Sequence, residues 1–330
     1  MKLKLMNMLA IVLAFQLQGQ EAKITVHVTD ENGVAVSNAQ VNAGFNMAIK
    51  PGEGWGTGIP TEVAGITDTN GICILTGKDT AGSVGVAASK EGYYGNGGGT
   101  LFTNLDLVLR RWETWNPTID VVLLKKGIQA PMYARKMREI KIPVEETPVG
   151  FDLIAGDWVT PYGKGEVSDF IFQVDVAPTQ WITNWYGTSP RPYPIRDNKI
   201  AISFSNGNDG IQTAAALPYG LRLPRQAPLD GYKPVLTKRA YSDGKSPAYS
   251  DFQKDANYFF RVRTKKDEQG NIISALYGKI YGEFNNSGGI GDKISFTYYL
   301  NPEPNSRNME FDPKQNLFKN LKPLERVTAP

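Results

Sequence analysis

Aromatic rings and prolines crowd into one short stretch of the second half of the chain. Trp181, Trp185 and Tyr186 lie within six residues, and Tyr193 follows in a segment with prolines at positions 190, 192 and 194. Aromatic side chains give a large contact area at a small entropic cost, so they stack on sugar faces or fill pockets of a protein partner. We therefore predict a ligand-binding site at Trp181, Trp185, Tyr186 and Tyr193. The alternative is that these rings pack in a domain core.

The single histidine and the single cysteine exclude most catalytic and metal-binding sites. His27 lies on the polar face of a predicted strand, Cys73 lies in an apolar run, and no Gly-x-Ser-x-Gly motif is present. Zinc sites need several ligands, and a Ser-His-Asp triad needs a histidine beside its nucleophile. Residues 205–210 (SNGNDG) lack the alternating acids and closing glutamate of a calcium loop. The sequence therefore predicts no catalytic residue, no metal site and no cofactor.

Paired carboxylates are the one catalytic arrangement that this composition leaves open. A glycoside hydrolase needs two acids about 5 to 10 Å apart, and the candidates here are Asp157, Glu166, Asp169 and Asp175. Asp169 and Asp175 are six residues apart, which corresponds to about 20 Å along a strand. This pair is therefore too far apart to act together. A hydrolase is kept as the alternative to a binding protein.

The first 20 residues have the layout of a signal peptide. Two lysines precede an apolar run at residues 5–15, and a small residue, Gly19, stands where cleavage would follow. The apolar run is about half of the roughly 20 residues that a membrane-spanning helix needs, and no cysteine near the cleavage site could carry a lipid. We therefore expect an exported protein, periplasmic, extracellular or at the cell surface, with no membrane span and no lipid anchor.

Charge and turn content restrict the partners and the fold class. The chain carries 36 basic and 33 acidic residues, which gives no reason to expect a nucleic-acid partner. Its 34 glycines and 21 prolines are spread along the whole length, which indicates many turns between short strands. Ile24, Val26 and Val28 alternate with polar residues, as in a half-buried strand. An all-β fold is expected.

Three segments follow residues 1–20. Residues 21–127 form a first predicted domain, which ends in a strand-like run and the sequence Lys-Lys-Gly. Residues 128–149 contain three prolines among charged residues, and we predict an extended linker there. Residues 150–330 form a second predicted domain, because 330 residues exceed what one core usually occupies.

The second predicted domain has clear strand patterns near its ends. Residues 258–263 and 272–281 flank a turn with Gly270, which predicts a hairpin. Further strands are predicted at residues 167–176, 199–205 and 293–300. The proline-rich and glycine-rich segment 178–250 predicts long loops. A larger antiparallel, β-sandwich-like domain is expected.

Three motifs of the first domain follow a known pattern. ITVHVTDENGVAVSNAQV (residues 24–41) contains a strand and an Asn-Gly turn, GITDTNGI (65–72) repeats the turn, and AASKEGYY (87–94) supplies a strand and a glycine-tyrosine corner. This third of the chain resembles the carboxypeptidase regulatory-like family. The resemblance implies a seven-stranded, prealbumin-like sandwich that accompanies another domain and serves stability, spacing or contact.

Residues 150–330 resemble only uncharacterised regions of exported bacterial proteins. Some surface domains of sandwich form join a lysine to an acid or amide through a covalent bond, and Lys23 and Asp120 are conceivable partners for it. The chain as a whole is predicted to be a secreted, non-catalytic binding or structural protein of the bacterial envelope or extracellular space. A glycan or an envelope protein is its expected partner. An exported glycan-active hydrolase with paired carboxylates in the second domain is the alternative.

Overall fold

The computed structural model describes residues 19–47, 59–176, 180–186, 188–218, 220–243, 247–253, 255–284 and 293–330. Within these ranges the regular elements are β-strands and a short 3-10 turn at Pro323–Glu325. The predicted all-β class is therefore confirmed. Residues 1–18 of the predicted signal peptide lie outside the described residues. No helix in the described ranges is long and apolar enough to cross a membrane.

The chain divides into two compact units. The first comprises Met1–Lys126 and Pro218–Leu221, and the second comprises Gly127–Leu217 and Arg222–Pro330. Leu221 forms a small buried cluster with Tyr94 and Leu124, which explains why a short distant segment belongs to the first unit. The predicted linker is part of the second unit.

Two sheets build the first unit. The six-stranded sheet contains β1 (Gln20–Asp30), β4 (Ile72–Asp79), β6 (Tyr93–Tyr94), β8 (Asn104–Asp106), β9 (Arg111–Glu113) and β10 (Thr118–Lys125). The four-stranded sheet contains β2 (Gln40–Met47), β3 (Ile59–Ile66), β5 (Ser83–Ser89) and β7 (Asn96–Leu101). Seven of these strands have six residues or more, and β6, β8 and β9 are short additions to them.

The two sheets of the first unit share one apolar core. Ile24, Val26 and Val28 of β1 are fully buried there, together with residues of β2, β4, β5 and β10. Successive side chains of a strand point to opposite faces, so the alternation in β1 places one apolar face against the other sheet. Cys73 lies in this core, where burial and then the charge of Asp68 raise the pKa of its thiol. A raised pKa and a buried position both disfavour the thiolate form.

A hydrogen bond between His27 and Asp120 lies on the outer face of the same sheet. β1 and β10 run parallel with His27 opposite Asp120, and His27 Nδ1 lies 3.0 Å from Asp120 Oδ1. Lys23 lies opposite Thr76 of β4, and its ammonium group is 6.0 Å from the ring of Trp115. The prediction that Lys23 and Asp120 are joined by a covalent bond is therefore wrong. The register places Asp120 opposite His27, which is four residues beyond Lys23 on β1.

Two larger sheets build the second unit. The six-stranded sheet runs in the order β17 (Gly210–Thr213), β20 (Tyr258–Lys266), β21 (Ile272–Ile280), β22 (Lys293–Asn301), β11 (Ala130–Lys141) and β23 (Phe311–Asn316). The seven-stranded sheet runs in the order β13 (Asp157–Trp158), β12 (Val149–Asp152), β14 (Phe170–Val176), β16 (Ser189–Ser203), β18 (Val235–Ser242) and β19 (Tyr249–Ser250). Its seventh strand, β15 (Gln180–Tyr186), pairs with β16.

The six-stranded sheet is buried on both faces. Phe296 and Tyr298 of β22 belong to a core that includes the seven-stranded sheet, while Tyr299 belongs to a second core. Aromatic rings fill the first core edge to face; the ring centroids of Phe170 and Phe260, for example, are 5.0 Å apart. The expected sandwich-like arrangement is confirmed, with a second apolar layer that the sequence analysis did not predict.

β11 corrects the predicted linker. Twelve residues of the segment 128–149 form a strand that pairs with β22 and β23. Met132 and Ala134 are fully buried, and Pro131 is exposed near the start of the strand, where its missing N–H is tolerated. Charged residues in the same segment hid the alternation that marks this strand.

Strands also cross the segment where long loops were predicted. β15 to β19 all lie between residues 178 and 250, and β16 alone has 15 residues. Prolines at alternate positions of β16 suggested a loop, but proline fits a strand wherever its ladder needs no donor. The prediction of long loops is therefore wrong for these strands.

Candidate functional site

The predicted aromatic site lies on a two-stranded extension of the seven-stranded sheet. β16 pairs with β14 through residues 198–203 and with β18 through residues 196–203. Its earlier residues pair with β15, so residues 180–186 and 189–195 continue as a hairpin beyond the ends of β14 and β18. We call these residues the tryptophan hairpin.

On the tryptophan hairpin, every second residue of β15 from Trp181 to Trp185 lies opposite a proline of β16. Three opposite pairs are Trp181 with Pro194, Thr183 with Pro192, and Trp185 with Pro190. Residues directly opposite each other in an antiparallel pair belong to the same face of a sheet, so these positions belong to one face. Proline fixes φ and has no N–H, so the three prolines stiffen β16 and leave its edge poor in donors.

Trp181 lies at the surface. It is 64% exposed, and its neighbours on this face, Thr183, Pro190 and Pro192, are exposed as well. An indole ring with this exposure is not packed in a core. Grouped exposed apolar residues mark contact surfaces. Packing in a domain core is therefore excluded for Trp181.

Tyr193 has a different environment. It lies opposite Ile182, both residues are half-buried, and its hydroxyl forms a hydrogen bond with that of Ser242 in β18. This bond ties the tryptophan hairpin to the neighbouring strand, so Tyr193 positions the hairpin. The side chains of Trp185 and Tyr186 lie outside the described residues, and their backbones are opposite Pro190 and Ser189.

Two buried carboxylates in the second unit meet at one arginine. Arg263 donates from Nε and Nη2 to Asp169 over 2.8 Å each, and Nη2 also lies 3.1 Å from Asp152 Oδ1. Asp152 further accepts four backbone N–H groups and Asp169 accepts one. Every carboxylate oxygen of the pair therefore has a donor, and the arrangement holds β12 and β20 together.

Burial and hydrogen bonding act in opposite directions on these two acids. Burial raises the pKa of Asp169, and Arg263 offsets this effect only in part. Burial also acts to raise the pKa of Asp152, but backbone N–H donors and Arg263 outweigh it and hold the pKa below its usual value. The side chains of Asp152 and Asp169 are 7% and 0% exposed, so neither carboxylate is open to a substrate.

Of the other acids considered as catalytic candidates, Asp157 lies opposite Asp152 in the pairing of β12 with β13, and the exposed Glu166 donates its backbone N–H to Asp152 at 3.0 Å. Asp157 accepts the N–H groups of Trp158 and Lys164 at 2.9 and 3.2 Å. Asp175 lies near the end of β14 and accepts a hydrogen bond from Gln173, whereas Asp169 precedes the same strand by one residue. The structure therefore brings Asp169 together with Asp152, which the sequence analysis did not consider, and not with Asp175.

An open groove of about 1330 Å³ lies on another part of the second unit. It is lined by residues 135–140 of β11, residues 295–297 of β22, Tyr281, Glu283 and residues 322–325. Two of its acids are held in ion pairs, Glu325 with Arg135 at 2.9 Å and Glu283 with Lys238 at 2.8 Å. The remaining acid, Glu139, has no second free carboxylate beside it in this lining, so the groove lacks the acid pair of a glycosidase.

Residues 205–210 form a turn against β20. Asp209 accepts the N–H groups of Arg263 and Thr264 at 2.9 Å each, and Asn206 Oδ1 accepts the N–H of Asn208. Burial raises the pKa of Asp209 despite these donors. Among the described residues, no three histidine, cysteine or acidic side chains are grouped so that they could hold a metal ion.

Comparison with known proteins gives little similarity. No family model matches the chain, and no curated protein matches it either. The 3-chlorocatechol 1,2-dioxygenase of Rhodococcus opacus 1CP is 13% identical with a TM-score of 0.24, over 33% of this chain and 61% of the dioxygenase. The major pilin subunit BcpA of Bacillus cereus is 11% identical with a TM-score of 0.23, over 84% of this chain and 95% of the pilin. Scores this low carry no argument about function.

Proposed function

We propose that this chain is an exported, non-catalytic binding protein whose tryptophan hairpin contacts an extracellular glycan. The single observation that carries the proposal is the exposure of Trp181 on a hairpin that three prolines stiffen. The first unit, which resembles carboxypeptidase regulatory-like domains, would serve as a support. Residues 1–20 would direct the chain to the periplasm, the cell surface or the medium.

The chemistry of the exposed face suits a sugar chain. The ring of Trp181 offers a flat apolar surface on which the C–H face of a pyranose can stack, and the hydroxyl of the exposed Thr183 offers a nearby hydrogen bond. The stiff hairpin lowers the entropic cost of ordering on binding. A face of this kind binds an extended glycan by contact alone and needs no reactive group.

Binding without catalysis is favoured over the hydrolase alternative by the state of the acids. Asp169 and Asp152 share Arg263 as a partner, and two of the groove acids are in ion pairs. A general acid must present its proton to the leaving oxygen, and a nucleophile or base must have a free oxygen. Carboxylates whose oxygens already accept several hydrogen bonds are poorly suited to either role.

The experiment that tests the proposal is a glycan array probed with the full chain and with Trp181→Ala. We expect about 10-fold weaker retention of the variant, because the stacking surface is removed. The melting temperature is expected to stay within about one degree, because an exposed side chain contributes little to stability. Trp181→Phe should recover part of the retention, since a smaller ring remains.

A matched control is Tyr162→Ala, since Tyr162 is 47% exposed in a loop of the same unit but outside the tryptophan hairpin. This variant should bind as the unmodified chain does. Equal retention of the chain and of Trp181→Ala on every glycan that binds would contradict the proposal. A large loss of thermal stability in Trp181→Ala would do so as well, because it would mark the ring as structural.

A further inference from the structure

Among the described residues that line the open groove of the second unit, four are basic and three are acidic. Arg135 and Lys238 are the cations already engaged with Glu325 and Glu283. Three further cations, Lys136, Arg138 and Lys322, line the groove against one further acid, Glu139. Arg138 and Lys322 are exposed, and the charge of Lys322 also acts on Glu325, whose pKa it helps to lower. The groove therefore attracts anions.

The floor of the groove offers hydroxyl groups. Thr297 of β22 lies opposite Lys136 of β11, and Ser295 and Tyr281 complete this part of the lining. Ser295 Oγ accepts the N–H of Glu139 at 2.8 Å, which leaves its proton free to be donated. Hydroxyl groups beside cations suit a ligand that carries both hydroxyls and negative charges.

The edge of the groove is poorly suited to an added peptide strand. The pairing of β11 with β22 shifts register between Met137 and Ile140, and Glu139 in the bulge has a positive φ of 46°. A bulge twists a strand and interrupts the regular spacing of its N–H and C=O groups, so it protects an edge from strand addition.

We propose that this groove binds an acidic polysaccharide, a glycan chain with carboxylate or sulfate groups. Lys136, Arg138 and Lys322 would pair with the anionic groups, and Ser295, Thr297 and Tyr281 would contact the sugar hydroxyls. This site is separate from the tryptophan hairpin, and no residue is common to the two. The groove would add a preference for charge to a protein that also holds glycans by stacking.

The test compares binding of the full chain to immobilised polygalacturonate, to its fully methyl-esterified form and to dextran sulfate. The variant Lys136→Gln with Arg138→Gln keeps side chains of similar length and removes two charges. We expect about 10-fold weaker binding of this variant to polygalacturonate at 0.05 M salt, and little binding of either protein at 0.5 M salt, because screening weakens ion pairs at a surface. The methyl ester should bind more weakly than the acid form.

The matched control is Lys265→Gln with Lys266→Gln, two exposed lysines at the end of β20 that are outside the groove lining. It removes the same charge and should leave binding unchanged. Trp181→Ala should also leave it unchanged in this assay, so failure of the groove and failure of the tryptophan hairpin are distinguishable. Equal binding of polygalacturonate and of its methyl ester would overturn the proposal. Equal losses in the groove variant and in the control variant, or no binding to polygalacturonate or dextran sulfate, would overturn it as well. Stronger binding to poly-glutamate, lost in the groove variant, would assign the groove to acidic peptides instead.

Discussion

Replacing Arg263 by alanine is expected to lower the free energy of unfolding of the second unit by about 3 kcal/mol. Its guanidinium group contacts Asp169 and Asp152, whose side chains are 0% and 7% exposed. Removing one partner of a buried ion pair leaves the other charge poorly solvated, which costs about 3 to 5 kcal/mol. The lower value applies because Arg263 itself is 26% exposed. Urea unfolding of the full chain, followed by tryptophan fluorescence and circular dichroism, measures the change.

The loss in Arg263→Ala should also depend on pH. Burial already raises the pKa of Asp169, and without Arg263 this pKa rises further above the unfolded value near 3.9. A carboxyl group with a raised pKa in the folded state takes up a proton on folding, so stability falls as pH rises through the interval between the two values. The variant should therefore differ from the unmodified chain more at pH 7 than at pH 5.

Arg239→Ala is the control for this prediction. Arg239 makes two hydrogen bonds of 2.7 Å to Asp197, but both side chains are well exposed. Solvent screens such pairs, so a much smaller effect is expected. Arg263→Lys should fall between the two, because lysine restores the charge but not the planar fork that reaches both acids. Equal effects of Arg239→Ala and Arg263→Ala would rule out a structural role for the Arg263 contacts.

The second large effect is expected at Lys279, a fully buried lysine in the second core of the second unit. Its Nζ donates to the carbonyl of Met309 at 2.8 Å and lies 4.5 Å from the centre of the Tyr299 ring. Burial lowers the pKa of Lys279 to about 7, and the charge of Glu310 opposes this effect. The folded state therefore holds this proton far less tightly than the unfolded chain does.

The direction of the pH effect follows from the pKa of Lys279 in the folded state and its pKa in the unfolded state. Between pH 7 and about 10.4 the unfolded state binds more protons at this lysine than the folded state, so stability rises with pH in that interval. From pH 7 to pH 9 the expected rise is about 2 kcal/mol. Below pH 7 both states become protonated, and this group adds no further slope.

Lys279→Met is expected to increase the free energy of unfolding at pH 7 by about 2 kcal/mol and to remove most of the rise with pH. Methionine fills a similar volume without the cost of burying a charge, although the bond to the Met309 carbonyl is lost. Lys266→Met, at an exposed position of β20, should change neither quantity appreciably. A stability profile that stays flat between pH 7 and pH 9 in the unmodified chain would contradict the assignment of Lys279.

Local alternation of apolar and polar residues was enough to predict several strands. β1 shows a strict period of two, and the hairpin of β20 and β21 has a glycine-containing turn between two apolar runs. β22 was predicted within one residue of its observed bounds. These strands bury one or both faces, so their sequences carry the pattern directly.

Strands whose partners decide their conformation were missed. β11 mixes lysines, arginines and a proline with the buried Met132 and Ala134, and it needs β22 beside it to be stable as a strand. The tryptophan hairpin is paired through three proline positions, which local propensity assigns to loops. Long-range pairing overrides propensity in both cases.

Among the site residues, too, some could be predicted from the sequence and others could not. Trp181 could be proposed from the sequence because tryptophan has a strong chemical signature, but its exposure could not. Arg263 is 94 residues from Asp169 and 111 from Asp152, so no local pattern links the three. Lys279 is one of six consecutive buried residues at the end of β21, and its burial depends on the second apolar layer. The groove combines residues of β11, β22 and the segment 322–325, which are far apart in the sequence.

Hydrogen exchange of the full chain, with and without a neutral glycan retained on the array, tests the role of the tryptophan hairpin most directly. We expect slower exchange on binding for the backbone amides of residues 180–186 and 189–203, with no change in the first unit. The same protection should be absent in Trp181→Ala at equal glycan concentration. Protection confined to other strands, with the tryptophan hairpin exchanging at the same rate in the free and bound protein, would contradict the account.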